Sequence, residues 1–186
     1  MNKYIHLISV CCVAIWAGVF FVGPNQVFAA SAEELNRDCT AAYENLLASS
    51  SSAKMLAEKA SAVLVFPSIT KAGFIVGGQY GEGALLKNGK TVGYYNTVAA
   101  SWGLQAGAQR FGYALFFMSE SAVKYLDKSD GWELGTGPSL VVIDSGAAGS
   151  FTTTTAKSDV YAFFFDPKGL MAGLGIQGTK VTKINR

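Results

Sequence analysis

Histidine is almost missing from this chain, and cysteine is scarce. The single histidine is His6, and two of the three cysteines are Cys11 and Cys12. All three lie in an apolar N-terminal run, Ile5 to Val22, that follows the positive Lys3 and ends at Gly23-Pro24-Asn25. Small residues follow at Ala29, Ala30, Ser31 and Ala32, which completes the three-part layout of a secretory signal. Residues 1–30 are therefore expected to be a cleaved, Sec-type leader, with cleavage after Ala29 or after Ala32 both fitting. The competing reading is a retained anchor, because the run approaches spanning length. A lipoprotein signal does not fit, since Cys11 and Cys12 come too early and Cys39 follows Asn36-Arg37-Asp38.

These absences exclude several chemistries from residues 31–186. Without histidine, a Ser-His-Asp or Cys-His mechanism is impossible and the usual general base is lost. One remaining cysteine, Cys39, cannot close an internal disulfide, and with no histidine it cannot make a standard zinc site. Charge is also bland. Fifteen basic residues face thirteen acidic ones, and loss of Lys3 leaves a formal +1. That is no electrostatic footprint for nucleic acid. No enzyme activity, catalytic residue, metal or cofactor is expected.

Three apparent exceptions fail on their context. Ser51-Ser52-Ala53-Lys54 has the serine–lysine spacing of penicillin-binding enzymes but lacks both companion motifs, so a helix cap is the better reading. Gly77-Gly78-Gln79-Tyr80-Gly81-Glu82-Gly83 is glycine-rich, yet no lysine-serine pair and no helix follow, as a phosphate loop requires. Glu82 and Glu133 read as rim carboxylates rather than a catalytic pair. A membrane-spanning barrel is set aside because the chain opens with helical segments and several strands look too short.

What is present is periodicity. Ser31 to Ala48 carries Leu35, Cys39, Ala42, Tyr43, Leu46 and Leu47 on one helical face, with Ser31 and Glu34 as a capping box. A short helix is expected over Ala53 to Ala60, and Pro67 should close the extended piece after it. The period then drops to two. Gly73–Leu86 and Lys90–Asn96 should pair as a hairpin about Asn88-Gly89. Ser101–Arg110, Tyr113–Met118, Leu140–Asp144, Gly149–Thr155, Val160–Phe165, Leu170–Gln177 and Val181–Ile184 also read as strands. Asp166-Pro167-Lys168-Gly169 reads as a turn, and Ser119 to Lys128 as a short helix capped by Ser119. Among the 21 glycines, many alternate along strands, which calls for close packing or strong bending of a sheet. The expected fold is α+β, one domain over residues 31–186, with N-terminal helices on a curved, mainly antiparallel, glycine-rich sheet or small barrel. Lys54, Lys59 and Lys71 lie near apolar Met55, Leu56 and Phe66, a pattern suited to anionic headgroups, although the residue pattern alone favours an ordinary core-facing helix with solvated lysines.

Residues Ala62 to Gly78 (Ala-Val-Leu-Val-Phe-Pro-Ser-Ile-Thr-Lys-Ala-Gly-Phe-Ile-Val-Gly-Gly), Gly81-Glu82-Gly83 and Ser101 to Gly107 closely resemble the SYLF domain. So do Gly131-Trp132-Glu133-Leu134-Gly135 and Gly169-Leu170-Met171-Ala172-Gly173. The resemblance runs from about Glu34 to the C-terminus. It implies a non-enzymatic domain that binds phosphoinositides and other anionic phospholipids. In eukaryotic relatives the domain sits beside SH3 or FYVE modules and can bind actin. This sequence shows neither module and its leader looks bacterial, so headgroup choice and actin binding are not carried over. The family's lipid contact maps here to Leu35, Leu46 and Leu47 and to Lys54, Lys59 and Lys71. The expectation is an exported periplasmic or cell-surface protein, peripherally attached to anionic phospholipid. The alternative is a structural or adaptor protein of the envelope that binds a protein partner.

Overall fold

A computed structural model describes residues 31–128, 130–143, 157–169 and 178–186. The expected leader and the expected strands Gly149–Thr155 and Leu170–Gln177 lie outside the described residues. Two helices come first, α1 (Ala32–Ser49) and α2 (Ser51–Ala57). Six strands follow among the described residues: β1 (Ala62–Lys87), β2 (Lys90–Phe117), β3 (Trp132–Glu133), β4 (Leu140–Ile143), β5 (Val160–Gly169) and β6 (Lys180–Ile184). Between β2 and β3 stand α3 (Glu120–Val123) and a 3₁₀ turn (Lys124–Asp127).

The helix starts follow from serine caps. Glu34 N–H donates to Ser31 Oγ while Ser31 N–H donates to the Glu34 carboxylate at 2.9 Å, so the capping box forms. These bonds hold the Glu34 carboxyl below the usual carboxylate range. Ser50, rather than Ser51, caps α2 through Ala53 N–H, and Ser119 caps α3 through Ala122 N–H.

The sheet is one long hairpin with additions. β1 and β2 pair antiparallel around Asn88-Gly89, whose φ values of 51° and 73° are those of a tight primed turn. The remaining strands join along the order β3-β6-β2-β5-β4, all antiparallel except β4 on β5. Pro67 does not end a strand as expected. β1 runs through it, and the irregularity is absorbed as a register shift between Phe66 and Ile69. Likewise Asp166-Pro167 is a bulge inside β5 rather than a turn. Strand length is therefore no obstacle to a membrane-spanning barrel, since β1 has 26 residues and β2 has 28. The stronger objection is that helices cover part of the outward side of β1 and β2, at Val63, Val65, Ala84, Leu86 and Phe116.

β1 folds back on itself. A Cβ at Gly83 would overlap the Val65 carbonyl oxygen and lie 2.7 Å from Phe66 Cδ1, and one at Gly81 would lie 2.6 Å from Ile69 Cγ1. One at Gly73 would collide with the backbone of Gly77. Glycine is used here because two stretches of the same strand must touch. Curling divides the apolar residues into two layers. The inner layer holds Leu64, Phe66, Ile69, Phe111, Tyr113, Leu115, Phe117 and Trp132. Phe66 and Tyr113 stack there at 4.8 Å, and Phe117 meets Trp132 at 5.7 Å. The outer layer, Val63, Val65, Ala84, Leu86, Phe116 and Phe163, lies under the helices and takes Leu35, Cys39, Leu46 and Leu56.

Candidate lipid-facing surface

Leu35 and Leu46 are core residues, 4% and 5% exposed. Leu47 is half-buried against the same layer. The apolar face of α1 is thus spent on the sheet, with Tyr43 packed on Phe116. At its centre Cys39 is fully buried and its Sγ–H donates to the Val65 carbonyl at 3.3 Å. Burial pushes this thiol up to about 12. An amphipathic stripe has the same sequence signature whether it faces a sheet or a bilayer. In this conformation it faces the sheet.

The lysines divide. Lys54 lies in the last turn of α2 and Lys59 just beyond it, both exposed. Neither is in an ion pair among the described residues. Lys71 is elsewhere, nine residues into β1 and so up to about 30 Å along the strand. It is half-buried and in register with Gln109, which is 6% exposed. Lys54 and Lys59 therefore share one corner of the fold, and Lys71 belongs to a different row of the sheet.

Other polar groups have structural partners. Tyr80 donates to Glu82 at 2.6 Å, and Glu82 also pairs with Arg186, both of these charged side chains being 15% exposed. Burial first, then the Glu82 carboxylate, pushes the Tyr80 phenol up to about 12. Glu82 and Glu133 lie on β1 and β3 with β2 and β6 between them. Three strand spacings make roughly 14 Å, too far for a carboxylate pair at one glycosidic bond. Asp159 accepts from the Ser139 hydroxyl and backbone N–H at 2.7 and 2.8 Å, which hold it below the usual range.

Two open grooves occur among the described residues. One of about 330 Å³ runs between Thr91–Tyr94 and Lys183–Arg186. Another of about 270 Å³ is lined by Ser121, Tyr125, Pro138 and Asp159. No group of three metal-ligating side chains occurs among the described residues, and no helix there is long and apolar enough to cross a membrane.

Comparison with known proteins agrees with the motifs. Residues 98–186, a little under half of the chain, match the Ysc84 family, described as Las17-binding protein actin regulator. No curated protein matches the chain. The match covers most of β2 and everything after it, including β5 and β6. It supports a role of the lipid- or actin-binding type in general. The resemblance read from the sequence is thus met over the motifs from Ser101 onward: residues 98–186 of this chain match the Ysc84 (SYLF) domain family.

Proposed function

We propose that this is an exported, non-enzymatic protein that attaches reversibly to anionic phospholipid at the periplasmic or cell surface. The observation that carries the reading is the α2 corner. Lys54 and Lys59 stand exposed there, in no ion pair among the described residues, in or just after the helix whose Ala53 and Leu56 join Leu35, Leu46 and Leu47 in the outer layer. The lysines supply the electrostatic contact. The α1 face supplies the apolar one only when α1 lifts from Val65 and Phe116. Attachment then has a salt-dependent first step and a slower apolar step. Lys71 shares its row with the buried Gln109 and takes no part in this contact.

Each lysine near an anionic surface contributes about 1 kcal/mol, so neutralising Lys54 and Lys59 should weaken attachment about thirtyfold, and reversing them by more. Co-sedimentation with vesicles is the test. Binding to anionic but not zwitterionic vesicles, reduced by salt and by Lys54→Glu with Lys59→Glu, supports the reading. Failure to bind any vesicle overturns it and favours a protein partner.

A further inference from the structure

We propose that Arg110, Lys168 and Thr70 form a binding site for a phosphomonoester dianion on the outer face of the sheet, separate from the α2 corner. The β1–β2 register sets Thr70 opposite Arg110, and the β2–β5 register sets Arg110 opposite Lys168. The three side chains therefore share one row on adjacent strands, spaced about 4.8 Å apart. All three are exposed. The neighbouring row is Lys71, Gln109 and Gly169, in which Gln109 turns inward and is buried. Alternation along the strands then turns the Arg110 row outward.

Two features of this row cost stability. Like charges directly opposite each other destabilise a sheet, and here an arginine faces a lysine. Neither is in an ion pair among the described residues, where the pairs are Arg37–Asp38, Lys87–Glu120, Lys183–Asp127 and Arg186–Glu82. Asp166 stands two residues before Lys168 and pairs with neither cation. The second cost is the bulge. From Arg110 to Gly112 β2 advances two residues, while β5 advances three from Phe165 to Lys168. Without the extra residue, Pro167 would face Arg110. The bulge is made with Asp166 at φ 49°, a left-handed backbone region that non-glycine residues occupy only at a cost. Bulges re-aim side chains. This one places a second cation beside the first, an arrangement that a bound anion would stabilise.

The donor set selects the anion. Arginine offers a planar fork of N–H groups, the ammonium a mobile point charge, and the threonine hydroxyl one further donor. A carboxylate has two oxygens and a single charge. A phosphomonoester has three terminal oxygens and close to two charges at neutral pH, which balance both cations. Inorganic phosphate and a lipid ending in a phosphomonoester share this chemistry.

The test is thermal unfolding of the whole protein at fixed ionic strength with increasing inorganic phosphate in place of chloride. Phosphate should raise the wild-type Tm. Lys168→Gln should weaken the half-saturating concentration by at least about tenfold, the worth of one charged hydrogen bond, and Arg110→Gln with Lys168→Gln should abolish the shift. Lys168→Arg should retain it. Without phosphate, Lys168→Gln should unfold no lower than wild type, because the repulsion is relieved. An equal shift in wild type and double variant, or no wild-type shift, overturns the site. Vesicles then identify the source. If the ligand is a headgroup, wild type prefers phosphomonoester over phosphodiester lipid at matched charge, and only that preference is lost in the double variant. If the shift is lost but vesicle binding is unchanged, the ligand is soluble phosphate. Lys54→Glu with Lys59→Glu tests the α2 corner separately and should leave the phosphate shift intact.

Discussion

Gly83→Ala should be among the most damaging single-methyl changes in this protein. The added Cβ would overlap the Val65 carbonyl and lie 2.7 Å from Phe66 Cδ1. Val65 and Phe66 are both fully buried, and Val65 also accepts the Cys39 thiol. The overlap must be relieved by separating the two arms of β1, because backbone cannot step aside as a side chain can. Overpacking of this kind costs about 1–3 kcal/mol. For a domain of this size that is a fall in Tm of roughly 3–10 °C. The φ of Gly83 lies outside the positive region, so alanine itself is acceptable to the backbone and the loss isolates the close approach. Gly78→Ala is the control. Its Cβ would meet nothing nearer than the Ala99 carbonyl at 3.8 Å, so the variant should be neutral or gain up to about 1 kcal/mol from a stiffer unfolded chain. Denaturant unfolding followed by circular dichroism measures both. If the two variants agree within about 0.5 kcal/mol, β1 does not fold back as described, and the glycines need another explanation.

Further outcomes follow from the core and its polar groups. Cys39 should resist thiol reagents at pH 8, since burial holds its thiol up to about 12, and should react only at the rate at which α1 leaves the sheet; immediate labelling refutes the packing of α1. Thr97→Val should cost about 1–3 kcal/mol by leaving the buried Tyr113 hydroxyl without its 2.7 Å partner, and adding Tyr113→Phe should recover most of it in a double-mutant cycle. The Asp159 carboxyl is held low by Ser139, so its contribution is complete above the ordinary carboxylate range and declines as pH falls through that range toward the lowered value. Asp159→Asn should therefore flatten the acid limb of the stability profile; an unchanged limb refutes the assignment.

What could be read in advance was local. The Asn88-Gly89 turn, the Ser31–Glu34 box and the Ser119 cap each rest on neighbours in sequence, and each appears in the fold. The glycines could be read as bends because alternation left one strand face without side chains. The limits are equally physical. Proline normally ends a strand, and only the register shows that Pro67 and Pro167 sit in bulges. β3 is two residues long and is defined by its pairing with β6, which no local pattern announces. The destination of Leu35 and Leu46 was hidden because a sheet and a bilayer select the same stripe. Arg110 and Lys168 lie far apart in the chain and meet only through register.

The β1–β2 ladder also imposes an order of assembly. Its pairs range from Lys87 with Lys90, beside the turn, to Ala62 with Phe117, more than fifty positions apart. Loop closure favours zipping from the turn outward, since each new pair then closes only a short additional loop. The platform that receives α1, built from Val63, Val65 and Phe116, lies at the far end of that ladder and is completed last. α1 therefore docks late in folding and detaches early. Under the proposed attachment, the segment that lifts to meet lipid is the one whose release leaves the rest of the ladder closed.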